Sequence, residues 1–195
     1  AAALAVPAVR RLWEGREALR QRVAVLEADL QVGRTGIEPD HAPFYNYIAS
    51  FDAIETIRRH AAPGLSGWDG YVTNYLGVRV PPEVCPSLLQ ARVGTVEPTP
   101  IPANWHADIA EWAGALYSVE RAKGTYRMIE VGCGWACWMA ITGVAARNAG
   151  LEVEVLGIEG DATHLDWARE TMTANGFQAD QYRLIHGVAA PSSGQ

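Results

Sequence analysis

The sequence predicts an α/β fold: one half of a doubly wound, parallel-stranded domain, preceded by a mainly helical N-terminal region. Three observations carry this. From residue 125 onward, short apolar runs alternate with helix-length segments, in the order strand, helix, strand, helix, strand. A glycine-rich turn joins the first strand to the first helix, and Asn-Ala-Gly150 and Asn-Gly176 close the two helices. All the connections are tight, as packed strand–helix units require.

The elements follow in order. Residues 8–31 read as a helix, because Leu19, Val23, Leu26 and Leu30 recur at spacings of four, three and four between Arg and Glu. Such a stripe packs on its own domain or, alternatively, pairs with a second copy as a short coil. A second helical pattern spans 42–60, with Phe44, Ile48, Phe51, Ile54 and Ile57 on one side. Residues 63–102 are rich in Gly, Pro and aromatic side chains. They predict irregular chain with enough apolar content to be packed down. Asn104 suits a helix N-cap, and Ile109, Trp112, Leu116 and Val119 form an apolar stripe ending near Ala122. The strands then fall at 126–131, 153–158 and 182–186, with helices at about 137–149 and 162–175. The organisation expected is residues 1–122 as the helical N-terminal region and 123–195 as the N-terminal half of the sheet domain.

In a three-strand half-sheet of order 3-2-1, Met128, Ile129 and Val131 would lie on an uncovered edge. The expectation is therefore that a C-terminal half of the domain, absent from these 195 residues, covers it.

Composition narrows the function. A hydrophobic fraction of 49% with 19% charged residues belongs to a soluble globular chain. The net charge of −6 carries no footprint for nucleic acid, and Lys123 is the only lysine. No apolar run reaches the ~18 residues of a membrane span. The opening Ala-Ala-Ala-Leu-Ala-Val-Pro-Ala is short and has no basic stretch ahead of it, so no signal peptide is expected, and the cytoplasm is the expected location. Cys85, Cys133 and Cys137 do not suggest a disulfide scaffold. Cys133 and Cys137 have the spacing that opens a three-cysteine iron–sulfur motif, but position 140 is Ala, so the pair reads as structural. The five histidines are dispersed, and no metal site is expected.

The turn Gly132-Cys-Gly-Trp-Ala136 brings backbone close to a ligand. A dinucleotide site would want a third glycine where Cys137 stands. Glu130 lies two residues before the first glycine. A carboxylate there repels a pyrophosphate and attracts a sulfonium or ammonium, by ~4 kcal/mol at about 4 Å and an effective dielectric of about 20. The pattern therefore favours S-adenosylmethionine. Glu159, ending the second strand, is placed to accept the ribose hydroxyls of an adenosine. Asp161 either assists it or caps the following helix.

Glu130-Val-Gly-Cys-Gly-Trp-Ala136, Gly157-Ile-Glu-Gly-Asp161 and Asn175-Gly-Phe177 resemble the cofactor motifs of class I S-adenosylmethionine-dependent methyltransferases. With the strand leading into Gly187-Val-Ala-Ala-Pro-Ser-Ser-Gly194, they are similar to the FkbM family in particular. The resemblance covers about residues 125–195. It implies a Rossmann-like domain, S-adenosyl-L-methionine as cofactor, and O-methylation of a hydroxyl on a small metabolite or glycan. The cofactor-binding residues would be Glu130, Gly132, Cys133, Gly134, Trp135, Glu159, Gly160 and Asp161. Two departures stand out: Ala136 replaces a frequent third glycine, and bulky Trp135 sits inside the loop.

Outside the motifs, His106 is the leading candidate for a substrate-side base, with His186 behind it. Trp68, Asp69, Tyr71, Asn74 and Tyr75 form either a structural plug or a substrate wall, and Trp105 and Trp112 read as core. Two rival functions are an NAD-type oxidoreductase on the same half-fold, and a non-catalytic methyltransferase-like subunit that assembles through the N-terminal helix.

Overall fold

The computed structural model describes residues 49–190. The helix expected over 8–31, the beginning of the pattern over 42–60 with Phe44 and Ile48, and residues 191–195 lie outside the described residues.

Within them, the first helix, α1 (Ala53–Arg59), starts later than the apolar periodicity suggested. Asp52 sets the boundary. Its side chain accepts the Glu55 amide at 2.9 Å, which stops helical backbone from running through 49–52. Phe51 is left to stack on Tyr117, ring centroids 4.0 Å apart.

Residues 63–102 are packed down, as their apolar content predicted, but they hold more regular structure than expected. Strands β1 (Val72–Thr73) and β2 (Arg79–Val80) pair antiparallel. The Asn74 side chain accepts the Leu76 and Val78 amides between them and so fixes the reversal. A 3-10 turn (Pro82–Val84), the short helix α2 (Pro86–Leu89) and a second 3-10 turn (Gln90–Arg92) follow. Val72, Leu76, Val78, Val80 and Leu89 are buried.

Helix α3 (Ile109–Arg121) is capped by Asp108, not Asn104. Asp108 accepts the Ala110 and Glu111 amides while the Glu111 side chain takes the Asp108 amide, a reciprocal capping box that Asn104 could not complete. Asn104 instead holds the preceding turn, accepting from the His106 and Ala107 amides and from the Trp112 indole N–H. The expected stripe faces inward: Trp112, Leu116 and Val119 are buried and Ile109 half-buried.

The sheet follows its sequence pattern closely. Strands β3 (Thr125–Val131), β4 (Glu152–Glu159) and β5 (Tyr182–His186) run parallel in the order β3-β4-β5, with Thr125 opposite Glu152 and Val155 opposite Tyr182. Helix α4 (Cys137–Asn148) connects the first two and α5 (Ala162–Ala174) the second two. Tyr126, Glu130, Val153, Val155 and Gly157 share one strand face and are buried. On the other face Ile129 and Val131 are 67% and 63% exposed. A mixed α/β unit with a three-stranded parallel sheet is thus observed, and among the described residues β3 pairs with no strand but β4. Among the described residues, no helix is long and apolar enough to cross a membrane.

Candidate functional site

The turn between β3 and α4 gathers most of the residues singled out in the sequence. Gly132 and Gly134 take φ of 70° and 51°, left-handed values that a side chain resists. The Gly132 and Cys133 amides both donate to the Ile158 carbonyl, at 2.8 and 3.0 Å, and pin the turn to the end of β4. Gly157 makes that seating possible. A Cβ there would lie 2.7 Å from both the Cys133 and Met139 sulfurs.

Glu130 is not turned out toward a ligand. It is 9% exposed, and its carboxylate accepts the Met139 amide at 2.9 Å, the Trp138 amide at 3.3 Å and the Cys137 thiol at 3.5 Å. The reason is local. Ala136, the N-cap of α4, has no side chain able to take the first-turn amides, and Glu130 supplies one from the neighbouring strand. Burial pushes its carboxyl above the usual range, while the amides and thiol pull it back.

Glu159 binds different partners and is shifted the other way. Its carboxylate spans the turn, accepting the Gly134 amide at 2.8 Å and the Asp161 amide at 2.9 Å. Those two amides, Asp161 first, hold it below the usual carboxylate range. His164 Nδ1 stands 3.8 Å away, a neighbour that the sequence did not suggest because it lies one helical turn into α5. Asp161 is the N-cap of α5, accepting from the Thr163 and His164 amides, and exposed Gly160 gives its carbonyl to His186 Nε2 at 3.0 Å. Cys133 packs inward, its thiol pushed up to about 11 by burial and then by Glu130 and Glu159. Burial and Glu130 raise the Cys137 thiol too, so neither cysteine is a ready nucleophile. Among the described residues no His, Cys, Asp and Glu cluster could hold a metal ion.

Trp135 leans the other way, onto a cluster of rings. Its centroid lies 6.0 Å from Trp105 and 5.7 Å from His106. His106 also meets Trp105 at 4.9 Å, Trp112 at 5.3 Å and Trp138 at 5.6 Å. Trp112 is core, whereas Trp105 and Trp135 are half-buried, so the cluster runs from the interior to the rim of the turn. Burial among these rings pushes the His106 imidazole down to about 4. Trp138 was missed in the sequence. Its position in the first turn of α4, next to Trp135, was the available signal. The segment read as plug or wall divides: Tyr75 packs edge-on against Trp112, Asn74 holds the hairpin, and Trp68 lies under the Arg79 guanidinium at 3.3 Å.

No family model matches the chain, and no solved structure does. The chain is similar to a protein of Jannaschia sp. (strain CCS1) that bears the name "Putative methyltransferase", with 48% identity over 138 residues. The match covers 71% of this chain and 50% of that protein, so the chain spans about half the length of the curated relative it matches.

Proposed function

We propose that residues 125–190 are the cofactor-binding part of an S-adenosylmethionine-dependent methyltransferase, acting on a hydroxyl oxygen of a small metabolite or glycan. The observation that carries this reading is the division of labour between the two carboxylates. A helix that receives a glycine turn usually offers its first amides to a phosphate. Here the Trp138 and Met139 amides are already held by Glu130, and a pyrophosphate would have to displace a carboxylate from a buried seat. That argues against the dinucleotide of an oxidoreductase and for a cofactor without phosphate. The name of the relative supports the same class.

The residues present fit such a cofactor. Gly132 and Gly134 have nothing within 4 Å of where a Cβ would stand, so the turn is open in front. Glu159, 13% exposed and held in its charged form, would accept ribose hydroxyls. Bound S-adenosylmethionine would supply an activated methyl group. The chain's part is to hold the adenosine at Glu159, to fix the turn through Ile158, and to exclude water with Trp135 and its ring neighbours. The resemblance to the FkbM family favours oxygen over nitrogen or carbon as the methyl acceptor.

Calorimetry with S-adenosylhomocysteine tests this. Binding is expected, with Glu159→Ala weakening it at least tenfold, about 1.4 kcal/mol or more. Unchanged affinity in that variant removes the ribose assignment. Binding of NAD in place of S-adenosylhomocysteine moves the protein to the oxidoreductase class.

A further inference from the structure

A methionine usually serves a core as an adaptable apolar filler, because its thioether accepts hydrogen bonds only weakly. Met139 and Met172 fit that description and are fully buried. Met128 does not. Two hydroxyls approach its sulfur, Thr142 Oγ1 of α4 at 3.0 Å and Tyr126 Oη of its own strand at 3.8 Å. Each hydroxyl also has an oxygen at hand. Thr142 donates to the Trp138 carbonyl at 2.6 Å, and the Tyr126 and Ser118 hydroxyls stand 2.9 Å apart. Neither O–H therefore depends on the sulfur, yet both stand ready for an oxygen placed on it.

Met128 is also reachable. It is half-buried and lines an open groove of about 410 Å³ between the C-terminal end of α3 and β3, beside Ser118, Ala122 and Tyr126. Such a groove admits a molecule as small as hydrogen peroxide. The other two methionines of the chain, at 0% exposure, are closed to it.

We propose that Met128 is an oxidation site, at which a peroxide converts the thioether to a sulfoxide whose oxygen is received by the Thr142 and Tyr126 hydroxyls. A sulfur lone pair attacks one peroxide oxygen, forming the S–O bond as the O–O bond breaks. Sulfur gives up two electrons, and the second oxygen leaves with both protons as water. The sulfoxide oxygen is a much stronger acceptor than the thioether. Hydroxyls already in place thus offset the cost of a polar group between β3 and α4. Those two elements flank the glycine turn, and the chemistry at Met128 is independent of what that turn binds.

The full 195-residue chain is treated with hydrogen peroxide, and tandem mass spectrometry places the added oxygen. Met128 should gain it at least tenfold faster than Met139 and Met172. The oxidised wild-type protein should keep a cooperative urea transition, its midpoint close to that of the untreated protein. In Thr142→Val, which removes the nearer hydroxyl at almost the same volume, oxidation should lower the midpoint clearly further than it does in wild type. Met128→Leu should lose the fast oxidation and keep the slow pair. A Met128 no faster than Met139 or Met172 overturns the site. Equal falls in midpoint for wild type and Thr142→Val overturn the part given to the hydroxyls. Should Thr142→Val fail to fold, the wild-type protein still decides: a urea transition lost on oxidation of Met128 overturns the idea that the sulfoxide is accommodated.

Discussion

The two flanks of the glycine turn are built on opposite principles. On the carboxylate flank, Glu130 and Glu159 take five donors between them: the Trp138, Met139, Gly134 and Asp161 amides and the Cys137 thiol. On the aromatic flank, His106 sits among four tryptophans with both ring nitrogens unpaired. Glu130 is satisfied by the helix that it caps and Glu159 lies beside the open turn, whereas the His106 nitrogens are enclosed without partners. The difference separates a hydrogen-bonded scaffold that shapes the turn from a packed aromatic cluster beside it.

The contrast implies opposite signs for removing polar groups. Glu130→Ala should be the most damaging change. It strips the cap from α4 and leaves two amides of its first turn without an acceptor, at about 1.5 kcal/mol for each lost charge-assisted bond, about 3 kcal/mol in total. Urea denaturation measures it, and a loss below about 1 kcal/mol would mean that water reaches the helix end and the carboxylate is dispensable. His106→Phe should go the other way, raising stability by about 1 kcal/mol because no bond is lost and a desolvation penalty disappears. Its advantage should grow in acid. The folded imidazole titrates at about 4 against an ordinary 6.5, so the unfolded chain binds the proton first and the wild-type protein loses stability as pH falls through that window. A destabilised His106→Phe variant would show that the imidazole is a structural partner after all.

A smaller and subtler comparison lies within the carboxylate flank. Glu130 is shifted up by burial and Glu159 down by its amides. For Glu130 the folded state holds the proton more tightly, so its contribution is present below the ordinary Glu range and is lost as pH rises through the folded value. For Glu159 the contribution is present above that range and is lost as pH falls through its lower folded value. Stability profiles of Glu130→Gln and Glu159→Gln, each subtracted from wild type between pH 3 and 7, should therefore slope in opposite directions. Parallel slopes would mean that the two carboxylates share one environment.

The same division explains what the sequence made legible. Strands β3, β4 and β5 and helices α4 and α5 were readable because each carries its own periodicity and its own stop: Asn148-Ala-Gly150, and Asn175-Gly176. The start of α3 was misplaced between two good capping residues, Asn104 and Asp108. The Glu111 three positions after Asp108 was the deciding signal. Glu130 was legible as a strand-end carboxylate beside the turn, and its bonds to the first turn of α4 were not. Nothing local says whether a strand-end carboxylate faces a ligand or reaches over to a helix whose own cap is an alanine. The ring cluster was illegible for a different reason. His106 meets residues from the loop before α3, from α3 itself, from the turn and from α4, and only the packed structure brings them together.

Ala136 gives the finest test of how far the scaffold flank is fixed. It is the non-glycine residue with positive φ among those described, at φ 62° and ψ 42°, and it is fully buried. An L-residue in that conformation costs about 1–2 kcal/mol, which glycine would recover. Against that, glycine forfeits about 0.4–1 kcal/mol through the freer unfolded chain and about 0.8 kcal/mol for the lost buried methyl. The opposing effects nearly cancel, so Ala136→Gly should change stability by less than about 0.5 kcal/mol. A gain well above that would show that the methyl is poorly packed and that the turn is held against its preference by the Ile158 carbonyl and Glu159. A loss of similar size would show that the buried methyl fixes the seat of α4, and that the turn depends on side-chain packing as much as on its hydrogen bonds.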